Sequence, residues 1–408
     1  MKEESLSPQL LLDYLIELGT ALMSAGCPTH RLEDLLVTVA SHHGHQLDVF
    51  SVPTGLFVGL RTPEGEPSLT TMVRVREWKH DLYLLAALDE VVNEVVDEKL
   101  SLVAARQRIR EVIKRPRPWT RPEQLIASGL GSAGAAVTLG GGWMDCLLAA
   151  AGGVVLRAIM LILSEASGVR TLESFVGGVV AGLTAWFATI ISPGSIRDVL
   201  ILAIIVQLLP GLTLTTGLAE LSTKNLVAGT ARLMHAGITL LSLAFGIAIV
   251  VSIAKAVTPD LPPPIAHEPL QWWWQVIALL LAALSFGVML GLQKGKLHVA
   301  LGAGVLVWGV TLLTRPLPGV HAAFLNALAL SLGANLWARL TRRPAQIFLM
   351  PGLLLLVPGA LSFRSLDTLL SGDAVSGVSS GADVLLIAGG IVMGLLVANV
   401  ALPPRKAL

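Results

Sequence analysis

The stretch Gln207-Leu208-Leu209-Pro210-Gly211 decides how this chain is read. It lies inside the apolar run 196–218 and has an echo, Leu356-Val357-Pro358-Gly359, inside the run 346–363. Proline removes a helix hydrogen bond, and glycine lets the chain turn. Inside a membrane-length run, such a break is costly unless the freed backbone groups find partners. Substrate, ion or water supplies those partners in a transporter. Paired breaks at matching places in two halves are a sequence pointer to a transport site, whereas a single Pro-Gly is more often a packing kink.

The composition fits this reading. The chain has 408 residues, 53% hydrophobic and 14% charged, with mean hydropathy +0.72. That places it among polytopic membrane proteins. Charge is unevenly spread: residues 1–121 hold 14 Lys/Arg and 17 Asp/Glu, and the remainder hold 15 and 11. A soluble domain therefore precedes a membrane domain. The net charge of +1 gives no reason to expect nucleic-acid binding. Cys27 and Cys146 form neither a metal nor a disulfide pattern. The start, Met1-Lys2-Glu3-Glu4, lacks a basic n-region with an apolar core, so no signal peptide is read.

Residues 1–118 are expected to form a cytoplasmic α+β domain. Leu11, Leu12, Leu15, Leu18 and Leu22 recur at helical spacing in a first helix, 8–26. A second helix is expected over 29–44, with Thr29 as N-cap and Glu33 in its first turn. Segments 47–52, 56–61 and 68–75 are short, rich in Val, Phe and Thr, and separated by turn residues; they predict an antiparallel meander. Helices return over 81–98 and 102–114. A basic, proline-stiffened join follows, with Trp119 at the membrane interface.

About ten spans follow, at 125–141, 144–163, 172–191, 196–218, 233–254, 272–292, 297–314, 319–339, 346–364 and 382–402. The proline-rich connection 257–271 divides them into a first unit, 119–256, and a second, 272–408. With five spans each, the second unit enters the membrane upside down. Both breaks fall in the fourth span of their unit, which is the layout of an inverted repeat. Lys and Arg concentrate on the side holding 114–121, Lys224, Lys294, Arg343 and Arg405, so both termini are read as cytoplasmic.

In an inverted repeat the breaks meet near the midplane, where amides at the start of a half-helix attract a carboxylate. The candidate substrate-binding residues are therefore Gln207, Pro210, Gly211, Pro358 and Gly359, with Thr213 and Thr216 one turn on and sharing a face. The threonines can equally satisfy local carbonyls. Arg157, inside the second span, can neutralise a carboxylate or snorkel to the cytoplasm. Glu220 and Lys224 are four apart and read as an ion pair at the cytoplasmic end; they stand as coupling candidates. Asp145 is read as solvated at a span end, and Asn326, Asn335 and Asn399 as polar links between helices. His42-His43-Gly44-His45 fits no tetrahedral metal pattern. No phosphate-binding loop occurs, which argues against an ATP-driven pump. No nucleophile–base signature stands out, although folding can bring Ser24 and His30 together. No cofactor or metal is expected, and the chain is read as a non-enzyme.

The stretch from Leu22 to Glu33, Leu-Met-Ser-Ala-Gly-Cys-Pro-Thr-His-Arg-Leu-Glu, resembles the start of the threonine/serine exporter family. Leu209-Pro210-Gly211, followed by Leu226-Val227-Ala228-Gly229-Thr230-Ala231-Arg232, resembles the end of that family's first unit. Residues 347–361 resemble its second unit, marked by Val357-Pro358-Gly359. The resemblance covers about residues 10 to 402, with the two units fused. Cys27-Pro28 stands where relatives often carry Ala-Glu.

The resemblance implies export of small polar metabolites across the bacterial inner membrane, driven by the proton motive force. Threonine and serine are the family's named substrates, and split relatives are associated with dicarboxylates such as succinate. Protons and membrane lipid are then the other partners, and the soluble domain is a candidate for gating or for homo-oligomer assembly. The competing readings are a passive channel, a membrane-tethered hydrolase that uses the N-terminal domain, and a membrane anchor or sensor.

Overall fold

The computed structural model describes residues 7–61, 69–76, 78–164, 172–192, 194–259, 270–370 and 372–403. The N-terminal elements are α1 (Pro8–Ser24), α2 (Thr29–His42), β1 (Gln46–Val52), β2 (Gly55–Arg61), β3 (Leu69–Arg74), α3 (Leu82–Val96) and α4 (Leu102–Lys114). The strands pair antiparallel in the order β1-β2-β3, the meander expected from three short Val/Phe/Thr-rich segments separated by turn residues. Tyr14, Leu15, Leu36, Leu60, Leu88 and Ile109 lie in one core between sheet and helices. Each such side chain contributes about 2 kcal/mol by leaving water. One expectation fails locally. Pro28, not Thr29, caps α2, and Glu33 lies beyond the first turn, where its carboxylate accepts from Ser51 N at 2.7 Å in β1.

The apolar part consists of α5 (Arg121–Thr138), α6 (Trp143–Leu163), α7 (Glu173–Ile191), α8 (Arg197–Ile205), α9 (Gly211–Ser222) and α10 (Leu226–Val257). A second series follows: α11 (Trp272–Met289), α12 (Leu297–Thr314), α13 (Gly319–Thr341), α14 (Gln346–Leu356), α15 (Gly359–Leu370) and α16 (Ala374–Ala401). Among the described residues, eight helical segments are long and apolar enough to cross a membrane, rather than ten. The two that fall short have physical reasons. α5 is rich in Gly, Ala and Ser, and the run 196–218 is split into a nine-residue and a twelve-residue helix.

The two series pack alike. In the first, α5 lies on α6, α7 on α10, α9 on α10, and α8 against α5, α6 and α7. In the second, α11 lies on α12, α13 on α16, α15 on α16, and α14 against α11, α12 and α13. Between the series, α5 packs on α11, α9 on α16 and α10 on α15. Small residues permit close crossings. A β-carbon on Gly178 of α7 would lie 2.2 Å from Leu243 O of α10, and one on Gly394 of α16 would lie 2.5 Å from Phe324 O of α13. Asn335 donates to Asn399 Oδ1 at 2.9 Å across α13 and α16, the polar link expected there. Asp145 is not solvated. It is fully buried and accepts from Gly142 N at 2.9 Å and Ile196 N at 3.1 Å, tying α6 to the start of α8.

Candidate functional site

The site grows out of the two interrupted runs. α8 ends at Ile205, the chain turns through 206–210, and α9 starts at Gly211 with Pro210 as its cap. α14 ends at Leu356, and α15 starts at Gly359. The first i→i−4 bonds are Leu214 N to Pro210 O at 2.9 Å and Ser362 N to Pro358 O at 2.8 Å. Backbone amides of the preceding turn therefore have no acceptor within their own helices, and each helix carries its positive end there.

The two breaks meet. A β-carbon on Gly211 would lie 2.4 Å from Val357 Cγ1 and 3.8 Å from Gly359 Cα. One on Gly359 would lie 3.1 Å from Leu209 Cβ and 3.9 Å from Gly211 Cα. Glycine is required here by close approach rather than by a turn. Beside the crossing is a cavity of about 200 Å³, bordered by Gly131, Leu209, Gly211, Phe286, Val357 and Gly359. Drug-sized pockets start near ~300 Å³, so the space suits a small metabolite.

The other sequence-predicted residues scatter around this point. Gln207 is close, but its amide is engaged: Nε2 donates to Ser128 O at 2.9 Å, and Oε1 lies 2.9 Å from Ser128 Oγ. It braces the break against α5. Thr213 is buried and Thr216 half-buried, and neither borders the cavity. Thr215 returns its hydroxyl to Gly211 O at 3.2 Å, taking the local-carbonyl role. Arg157 is not at the crossing; its guanidinium donates to Gln124 in the first turn of α5. Sequence reasoning missed Ser285 and Ser132. Both hydroxyls are buried without a hydrogen-bond partner, and Ser285 Oγ would lie 2.3 Å from a β-carbon on the cavity-lining Gly131. Their only sequence signal is a serine within an apolar or small-residue helix, which many packing serines share.

The expected Glu220–Lys224 pair does not form. Lys224 sits past the end of α9 with φ 66°, where the chain reverses, so the helical four-residue spacing is lost before it is reached. Glu220 is fully buried and pairs with Arg232 Nε at 2.9 Å. It also accepts from Thr29 N at 3.1 Å and Thr29 Oγ1 at 2.8 Å. One carboxylate thus joins α9, α10 and the start of α2 in the N-terminal domain. Arg232 lies 4.8 Å over the Trp78 ring. Trp78 meets His80 and His235 edge-on at 5.9 and 5.6 Å. Burial, reinforced by the Arg232 charge, pushes the His80 imidazole down to about 4, and burial pushes the Cys27 thiol up to about 12. Ser24 donates to Thr20 O at 2.9 Å within its own helix, a local bond with no link to His30.

Residues 13–254 match the family described as "Putative threonine/serine exporter", and residues 275–401 match "Threonine/Serine exporter, ThrE". The chain belongs to the threonine/serine exporter family. A "Probable threonine/serine exporter" of Mycobacterium tuberculosis is 25% identical over 97% of this chain and 78% of its own length. "Pheromone-regulated membrane protein 10" of Candida albicans is 23% identical over 96% of this chain, and its namesake in Kluyveromyces lactis 22% over 96%. The chain spans less than half of those two fungal proteins, 38% and 43% of their lengths. No solved structure matches. In this exporter-family chain the first matched region takes in the N-terminal sheet and helices through most of α10, and the second takes in α11 to α16. The two regions thus contribute one break each.

Proposed function

We propose that the chain is a secondary exporter of threonine, serine or a similarly small carboxylate across the cytoplasmic membrane, coupled to protons and working by alternating access about the crossed breaks. The observation that carries this reading is the meeting of two half-helix starts, at Gly211 and Gly359, beside a small cavity. Two positive helix ends favour a carboxylate, although Gly359 N already donates to Val357 O at 2.8 Å. The equivalent packing of the two helix series supports an inverted repeat, in which the halves exchange roles as the site opens to one side and then the other. Pro210 and Pro358 hold the breaks open, and Gln207 fixes the first against α5. Thr213 and Thr216 lie on α9 beyond Gly211 and do not border the cavity. In this reading they meet the polar end of a substrate only in another conformation of the cycle. Glu220 is the coupling candidate, and Lys224 has no partner role in this arrangement. Residues 1–118 form the cytoplasmic domain, and both termini face the cytoplasm.

The test is counterflow of labelled threonine, serine and succinate in proteoliposomes, with and without a pH gradient. Gradient-dependent exchange of one class supports a coupled carrier and selects its substrate. Uphill movement collapsed by a protonophore separates a carrier from a passive channel. Replacing Pro210-Gly211 by Ala-Ala should abolish exchange while leaving membrane insertion intact; unchanged exchange would refute the site.

A further inference from the structure

The N-terminal domain touches both helix series, and the two attachments differ in kind. Toward the second series the contact is built on an apolar face, with a backbone hydrogen bond and an ion pair at its margin. Leu82 and Ala86 of α3 share a buried cluster with Leu290, Leu292, Val299 and Ala300, and one residue of the first series, Leu212 at the start of α9, joins it. Leu82 N donates to Leu290 O at 2.8 Å, and Arg343 pairs with Glu90 at the edge. Toward the first series the contact centres on polar groups: Thr29 on Glu220, Arg232 beneath Trp78, and the His80 and His235 rings beside them. Glu220 lies at the far end of α9, and the other end of that short helix is Gly211 at the crossing. A displacement of one end of so short a helix is transmitted to the other.

We infer that the N-terminal domain rides on the second helix series and latches the first through Glu220, Thr29 and Arg232, so that the latch sets where α9 holds Gly211 against Gly359. This rests on the alternating-access reading, in which the two series move relative to each other. One attachment must then yield. The Glu220–Arg232 pair lies wholly within the first series, and only the Thr29 hydrogen bonds to Glu220 and the Trp78 face on Arg232 cross to the N-terminal domain. Water can replace such partners, but it replaces nothing for a parted apolar face. The polar attachment is therefore the one that opens. Arg232 Nη1, buried without a hydrogen-bond partner, shows that this pair is not saturated even when closed. Thr29 acts as a positioning residue, remote from substrate, through the same Glu220 that is the coupling candidate.

Two measurements on the full chain test the latch. The first is hydrogen exchange in detergent without substrate, comparing the parent with Thr29→Val, Thr29→Ser and Glu220→Gln. The latch predicts about tenfold or faster exchange at residues 214–217, the first hydrogen-bonded amides of α9, in Thr29→Val, near-parent exchange in Thr29→Ser, and no change in α3. Faster exchange confined to residues 27–33 and 218–222, or equal loosening of α3, overturns it. The second uses Trp78→Cys with His235→Cys, whose rings meet at 5.6 Å across the same contact, in a background with Cys27 and Cys146 replaced by Ala, bridged by a short reducible dithiol reagent. Bridging should stop substrate exchange, and reduction should restore it; bridged protein that exchanges at the unbridged rate overturns the latch. If the unbridged parent exchanges no substrate at all, the carrier reading fails, while the hydrogen-exchange result still decides whether the latch exists.

Discussion

At the residue scale, the crossing leaves little room for a side chain. A β-carbon at 211 meets Val357 Cγ1 at 2.4 Å, far inside van der Waals contact. Gly211→Val should therefore reduce substrate exchange by about tenfold or more, since overpacking of this kind costs roughly 1–3 kcal/mol. Adding Val357→Ala should recover part of it, a rescue that proteoliposome counterflow would reveal. A second prediction concerns pH. Burial, with Arg232 adding to it, lowers His80 to about 4, and burial, with Arg31 adding, lowers His30 to about 4. The unfolded chain binds those protons near pH 6.5, so it gains protons before the folded chain does. Their contribution to stability is complete above about pH 6.5 and falls away as pH drops toward 4, by about 3 kcal/mol for each imidazole. Thermal unfolding followed from pH 7 to 4.5 should show a falling midpoint, and His80→Gln should flatten the slope. A midpoint independent of pH would refute it. The breaks themselves were legible, because Pro and Gly act through local backbone chemistry. The partner of Glu220 was not: Thr29 lies 191 residues away, and no local rule links the two.

At the element scale, helix termini were legible where a cap or a proline fixes them and obscure where packing decides. Pro-Gly alone does not break a helix. Pro351-Gly352 lies within α14, which runs on to Leu356, and only Pro358-Gly359 ends it. The difference lies in the surroundings. Gly352 fits beneath Leu330, whereas Gly359 meets Leu209 and Gly211 from the other series. The α7–α10 crossing depends on glycines on both sides: a β-carbon on Gly246 would lie 2.3 Å from Phe175 O, the reciprocal of Gly178 on Leu243 O. Backbone carbonyls cannot rotate away as a side chain can. Gly246→Val should lower the thermal midpoint in detergent and lose on the order of 1–3 kcal/mol. Gly237→Val, on the same helix with open space around it, should leave the midpoint unchanged.

At the scale of the whole molecule, the order of helices was readable from hydropathy, and their partners were not. α5 fell below the apolarity of a free-standing span because Gly129, Gly131 and Gly134 face neighbouring helices, with contacts to Ala150 O, Ser285 and Ala278 O. A helix enclosed by others can be less greasy than one bathed in lipid. The proposed orientation makes its own prediction. In a chain with Cys27 and Cys146 replaced, a cysteine at Lys294 should react with an impermeant thiol reagent only after the cells are opened. A cysteine at Gln271 should react in intact cells. The reverse pattern would invert the topology.

The N-terminal domain sits on one end of an otherwise repeated architecture, holding α3 against Leu290 and Thr29 against Glu220. Two interchangeable halves would leave a carrier equally content facing either side. A clasp on one end alone removes that indifference. In the proposed alternating cycle, a latch of this kind weights the resting population, with no gradient and no cargo, toward the conformer it grips. Loosening it would shift how long the carrier waits on each side, while the gradients would still fix which way net flux runs.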